Sequence, residues 1–245
     1  MGLAGAKGVT TPGSKDDVAK CHKENEEAGD AELSRSEATR FRGLSARLNF
    51  LAQDRFDLLY ASKEVSRKMS APKTRDWCLL KRVGRYHVSK PRVTQLFRWQ
   101  GTDTHVSTFV DSDWAGCRMS LKSTSGGCMT IGSHCIKAWA STQATIALSS
   151  GEAELYALVK GSAQTLGLMA LAQDLGEDFS GGVFCDSSAA IGIANRQGLG
   201  KLRRIKVQYL WVQQQVKSQA FTLKKVLGDD NPADLMTKYV DAATL

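Results

Sequence analysis

The sequence predicts an α/β protein: a five-stranded mixed sheet, three antiparallel strands followed by parallel ones, flanked by helices and preceded by a small all-helical segment. Three observations predict it. Early in the chain apolar residues recur at helical spacing, with Phe41, Leu44, Leu48 and Leu51 on one face. After Gly101 the pattern changes to short β-prone runs bounded by turn residues. The later runs then alternate with helical stretches in the order β-β-β-α-β-α-α-β-α, which is the signature of a layered sheet with helices.

Each element has its own reason. Residues 1–35 are Gly-, Ser- and charge-rich, and a disordered or loose tail is expected because they bury too little apolar surface to offset the entropy of ordering. Residues 36–98 make the helical segment: "FDLLYASKEVSRKMS" resumes the helical pattern after Asp54, Pro72 punctuates it, and "TRDWCLLKRVGRYHV" sets Trp77, Leu80 and Val83 on one face. The sheet domain is expected over 103–240. "HVSTFVDSD" is β-prone and half alternating, while "GGCMTIG" and "HCIKAWAS" flank a Gly132-Ser133 turn as a hairpin. "ALSSGEAELYALVKGSAQTLGLMALAQDLG" reads as a long helix closed by Gly176. "GGVFCDSS" is a short apolar run suited to a buried parallel strand, with "SSAAIGIANR" as its following helix. A basic helix, "LRRIKVQYLWVQQQV", precedes the last strand, "AFTLKKVL". Pro232 fits the first position of a closing helix in "DDNPADLMTKYV".

Composition narrows the function. A chain of 245 residues buries a core without disulfide or metal staples. Its cysteines are scattered with no C-x-x-C pair, which points to plain thiols in a reducing compartment and away from a zinc site. No apolar run approaches the roughly 20 residues of a membrane span, and "MGLAGAKGVTTPG" has no signal-peptide core. An intracellular, cytoplasmic or nuclear protein that is not secreted is therefore expected. The formal charge is +8, and between Asp186 and Asp229 there is no acidic residue, whereas Arg196, Lys201, Arg203, Arg204, Lys206, Lys217, Lys224 and Lys225 fall there. A one-sided cationic surface of this kind attracts nucleic-acid phosphates, and equally describes a solvated helix face.

The carboxylates of the second segment sit at element ends, where α/β sheets usually build their chemistry. Asp111 closes the first strand, Asp186 closes the parallel strand, and Asp234 lies in the first turn of the last helix. A structural explanation exists for each: a strand-end carboxylate pairs with a cation, and an aspartate in a first turn complements the helix dipole. Ser149-Ser150-Gly151-Glu152 has capping-box spacing, which gives Glu152 a structural task and leaves Glu154 without one. Carboxylates converging from different elements, with no histidine or cysteine among them, suit Mg²⁺ or Mn²⁺. Two such ions roughly 4 Å apart can hydrolyse a phosphodiester.

The motifs "VDSDWAG", "KSTSGG", "ALSSGEAELYAL", "VFCDSSAAIGIA" and "NPADLMTK", in this order, resemble the ribonuclease H domain of Copia-type LTR retrotransposon Pol polyproteins. The helical segment is similar to the stretch that joins reverse transcriptase to ribonuclease H in that family. The resemblance implies a ribonuclease H-like fold and a metal-dependent endoribonuclease, a fragment of a polyprotein, that cuts the RNA strand of RNA–DNA hybrids with two Mg²⁺ or Mn²⁺ ions per site. It assigns Asp111, Glu154, Asp186 and Asp234 as the catalytic, metal-binding carboxylates, with Asp113 a variable neighbour. Lys122 and Ser123, with Arg203, Arg204 and Lys206, are candidate nucleic-acid contacts. The implied partners are the hybrid and the reverse transcriptase portion of the same polyprotein, with no membrane and no small-molecule cofactor.

The chain departs from the family in places. The polymerase's aromatic-x-Asp-Asp signature is absent, so no copying activity is expected, and the Gly-Asp-Asp of "LGDDNP" reads as a loop before a cap. Arg204 and Lys206 stand where the family commonly has histidine and aspartate, Phe56 replaces the proline of "RPD", and Leu121 replaces an arginine. These changes leave open a degenerate copy that binds nucleic acid without cutting it. An integrase or transposase is disfavoured, because here the glutamate precedes the second aspartate.

Overall fold

The computed structural model describes residues 2–3, 5–14, 31–117, 119–198, 200 and 205–245. Two compact units emerge, Met1–Leu96 with Tyr239–Leu245, and Phe97–Lys238.

The first unit is helical. α1 (Arg35–Leu51) starts at Ser34, whose hydroxyl accepts the Glu37 N–H while the Glu37 carboxylate accepts the Ser34 N–H, a reciprocal capping box. A short 3₁₀ turn (Phe56–Leu58) leads into α2 (Leu59–Ser66), and α3 (Asp76–Ser89) follows the Pro72 break. Phe41, Leu58, Val65, Leu80, Val83 and Tyr86 are buried, and Phe41 meets Trp77 edge-on with ring centroids 5.5 Å apart. Where "RFD" replaces "RPD", Arg55 still grips Asp57 through two bonds, of 2.9 and 2.7 Å, and Tyr86 donates to the same carboxylate at 2.8 Å. Residues 7–11 differ from the loose tail expected of them. The Lys7 carbonyl accepts from Arg85, the Thr11 hydroxyl from Arg82 and the Val9 carbonyl from Ser89, so side chains of α3 supply the donors that a strand or helix would otherwise provide.

The second unit carries the expected sheet. β1 (His105–Asp113), β2 (Thr124–Ile131) and β3 (His134–Thr142) run antiparallel; β4 (Ser180–Cys185) and β5 (Thr222–Lys225) extend the sheet in parallel, in the order β3-β2-β1-β4-β5. α4 (Ser150–Asp174) lies against β1, where Val106, Thr108 and Val110 face inward by the period-two alternation of a strand. Gly161 of α4 allows the close approach, since a Cβ there would collide with Val110. Thr165 donates to Thr108 at 2.7 Å in the same buried seam. α5 (Ser188–Asn195) and α6 (Trp211–Lys217) complete the layer, and Leu155, Leu158, Val183, Val212 and Phe221 share its core.

The end of the chain is shorter in its elements than the sequence suggests. The basic helix is a 3₁₀ turn (Val207–Leu210) followed by α6, and Lys201, Arg203 and Arg204 lie outside the described residues. The closing helix is a single 3₁₀ segment (Pro232–Met236) that begins with Pro232, as expected of a first helical position. The Gly-Asp-Asp stretch is likewise a 3₁₀ turn (Gly228–Asp230). Among the described residues no helix is long and apolar enough to cross a membrane.

Candidate active site

The parallel pairing of β1 and β4 creates the site. Val110 lies opposite Cys185, so the next residues, Asp111 and Asp186, emerge side by side at the same end of the sheet. Asp111 is 6% exposed, which is costly for a carboxylate unless other groups compensate it. Compensation comes from the Pro232–Met236 turn. Asn231, just before it, donates to the Val110 carbonyl at 2.9 Å and accepts the Ala233 N–H at 3.2 Å, clipping the turn to β1. Thr237, just after it, is fully buried and donates to Asp111 Oδ2. Gly126, directly opposite Asp111 in β2, makes room: a Cβ there would lie 2.6 Å from Thr237, 2.7 Å from Met236 Cβ and 3.0 Å from the Met236 backbone. The turn thus brings Asp234 to Asp111, with Lys238 Nζ 2.7 Å from Asp234.

Glu154 arrives from the other side of β1. It sits near the start of α4, is 9% exposed, and its Oε1 accepts from the Ser112 N–H at 3.2 Å and from the Ser112 hydroxyl at 2.8 Å. Its Oε2 is buried with no hydrogen-bond partner among the described residues. Glu152 has a separate structural task, as expected, but its partner differs. The Ser149 hydroxyl accepts the Glu152 N–H, whereas the Glu152 carboxylate accepts the Leu148 N–H at 2.9 Å and the Tyr156 hydroxyl. The glutamate caps the amide one residue upstream of the box position, and it does not join the cluster.

The carboxylates raise one another's proton affinity. Burial pushes Glu154 up to about 8, helped by the charges of Asp111 and Asp186 and opposed by the Ser112 bonds. Burial also pushes Asp111 up to about 6, against the Thr237 bond and with the charges of Asp234 and Asp186. Asp186 is raised first by burial, then by Asp234, while a backbone hydrogen bond, Lys238 and Lys225 pull the other way. Asp186 and Asp234 are half-buried, leaving one side of the cluster open to solvent.

The structure therefore brings Asp111, Glu154, Asp186 and Asp234 together from four elements. Asp113 shares the Asp111 face of β1 by strand parity, but its carboxylate packs over Gly116, where a Cβ would collide with it, in the turn after β1. Two expectations are corrected. Ser123 cannot meet nucleic acid, because it is fully buried and its hydroxyl accepts the Ala115 N–H at 3.1 Å. The cluster also has a cysteine beside it: Cys185, Glu154 and Asp186 place ligand atoms within 4.8 Å of one another. Lys122 is half-buried, Lys206 is exposed, and Arg203 and Arg204 lie outside the described residues. Sequence reasoning missed Asn231, Thr237 and Lys238, although Asn before Pro is a recognisable cap and "TK" closes the same motif as Asp234.

The donor set fits hard divalent cations. Asp111, Asp186 and Asp234 offer only oxygen, the cluster is rich in negative charge, and Glu154 keeps one buried oxygen without a donor.

No protein-family model matches the chain. Over 203 residues, 82% of its length, it is 31% identical to the retrovirus-related Pol polyprotein from transposon RE2 of Arabidopsis thaliana. Over 206 residues, 83% of its length, it is 29% identical to the corresponding polyprotein from transposon RE1 of the same plant. The chain spans about 14% of the length of each of these relatives. Among solved structures, LC11-RNase H1 isolated from compost aligns over 55% of this chain and 93% of its own, at 15% identity and a TM-score of 0.41.

Proposed function

We propose that the chain is a segment of a Copia-type retrotransposon Pol polyprotein with a ribonuclease H-like fold, and that it is an endoribonuclease cutting the RNA strand of RNA–DNA hybrids. The observation that carries this reading is the convergence of Asp111, Glu154, Asp186 and Asp234 at one sheet end, with an unpartnered buried oxygen among them.

Asp111, Glu154, Asp186 and Asp234 would hold two Mg²⁺ or Mn²⁺ ions. When bound, these supply an activated water and charge stabilisation for the leaving 3′ oxygen. The protein's own groups prepare that chemistry. Ser112 fixes one oxygen of Glu154 and leaves the other available. Thr237 orients Asp111, and Asn231 holds the turn that bears Asp234. Lys238 compensates Asp234 and faces the half-buried side, where a phosphodiester can approach. Selection of RNA would rest on groove shape and 2′-hydroxyl contacts rather than base sequence.

The test is cleavage of a labelled hybrid by the full chain in Mg²⁺ or Mn²⁺. Release of RNA fragments, abolished by Asp186→Asn, is the expected result. Hybrid binding without cleavage in either ion would replace this reading with that of a degenerate copy that only binds nucleic acid.

A further inference from the structure

Cys185 is the chemistry-bearing group at this sheet end that phosphodiester hydrolysis does not use. It is fully buried as the last residue of β4, and its Sγ lies among carboxylate oxygens of Glu154 and Asp186, the three ligand atoms all within 4.8 Å of one another. A buried thiol in such a place would ordinarily be only a small apolar filler, and its sulfur does accept the Ser187 N–H at 3.4 Å. A second observation argues for more. Glu154 is 9% exposed, and among the described residues its Oε2 meets no hydrogen-bond donor, so one carboxylate oxygen of this trio is buried without compensation.

The donor types decide which ion suits that corner. Mg²⁺ takes oxygen and avoids sulfur, whereas Zn²⁺ accepts thiolate and carboxylate together, at about 2.3 Å to sulfur and 2.0–2.2 Å to oxygen. Two carboxylates and one thiol supply three protein donors, the number common where water or another ligand completes the shell of a Zn²⁺ ion.

We propose that Glu154, Cys185 and Asp186 form a mixed thiolate–carboxylate site for a thiophilic divalent cation of the Zn²⁺ class. On binding, the S–H bond gives its proton to solvent and the sulfur lone pair bonds to the ion, with no change in oxidation state. Occupancy takes two of the carboxylates assigned to hydrolysis, so the ion inhibits cleavage; this consequence rests on the nuclease reading, and the binding itself does not.

Cobalt(II) tests the binding directly, since a thiolate ligand gives it a near-ultraviolet charge-transfer band. Chelator-treated full chain titrated with Co²⁺ should develop that band, and Zn²⁺ should displace it while equimolar Mg²⁺ does not. Cys185→Ser should lose the band, although the other cysteines remain. Glu154→Gln keeps every cysteine and should weaken Co²⁺ binding by tenfold or more, which separates the site from a misfolded Cys185 variant. A band that persists in Cys185→Ser, or no band in the unmodified chain, overturns the site. In the paired assay, near-stoichiometric Zn²⁺ should suppress Mg²⁺-supported cleavage of a hybrid. A chain that shows the Cys185-dependent band but never cleaves retains the metal site and loses the nuclease reading. A chain that cleaves without the band retains the nuclease and loses the site.

Discussion

Glu154 is the residue whose environment most constrains the chemistry. With its carboxyl pushed up to about 8 by burial, and metal ligation requiring the ionised form, proton release should accompany metal binding near neutral pH. The sign for stability follows. A carboxyl raised on folding favours the folded state fully below its ordinary pKa of 4.5, and that contribution is lost as pH rises through about 8. Metal-free chain should therefore melt at progressively lower temperature across this window, and Glu154→Gln should flatten the decline; equal slopes in the two proteins would refute the assignment. Added Mg²⁺ should stabilise the chain more at the alkaline end, where the ligands are already ionised. Asp111 and Asp113 offer a contrast within one strand. Asp111 lies within the cluster while Asp113 packs over Gly116, so Asp111→Asn should remove nearly all cleavage and Asp113→Ala should leave most of it. Comparable losses in a hybrid-cleavage assay would show that the two act as a pair.

At the scale of elements, the site depends on how one short 3₁₀ turn is seated. Residues Pro232–Met236 carry Asp234, and the turn rests on β2 because Gly126 has no side chain. Gly126→Ala should displace the turn from Asp111, costing about 1–3 kcal/mol in stability, as overpacking does, and lowering kcat more than it raises KM. Measured denaturation midpoints and steady-state kinetics would check both, and unchanged kcat would mean that the turn adapts without moving Asp234. The helix that bears Glu154 shows what local spacing can and cannot reveal. Its start at Ser149 and its end before Gly176 follow from capping residues written in the sequence. That Glu152 reaches the Leu148 amide, and Glu154 the Ser112 hydroxyl, depends on the path of the chain before the helix and on the strand beneath it.

Across the whole molecule, the charge of +8 is concentrated where the sequence between Asp186 and Asp229 has no acid. If this stretch contacts the phosphate backbone, Arg203→Ala with Arg204→Ala should weaken hybrid binding and reduce the slope of log affinity against log salt by about 1–2. An unchanged slope would make it a solvated face. The order of elements along the chain, the mixed sheet of antiparallel then parallel strands and the helix after Asp186 were legible in the sequence, because periodicity, turn residues and capping patterns are local properties of the chain, while the four acidic positions were singled out by the family resemblance. Neighbours across the sheet were not. The burial of Ser123, the seat that Gly126 provides for Met236 and Thr237, the clip from Asn231 to Val110, and the thiol of Cys185 beside Glu154 all arise from strand pairing and layer packing between residues far apart in the chain. The sequence by itself placed acidic residues at the ends of its expected elements, and the family resemblance singled out four of them. Only the tertiary structure decided how deeply each is buried, which donors it meets and which oxygen is left without one, because desolvation and hydrogen bonding depend on distances through space that residue spacing does not encode.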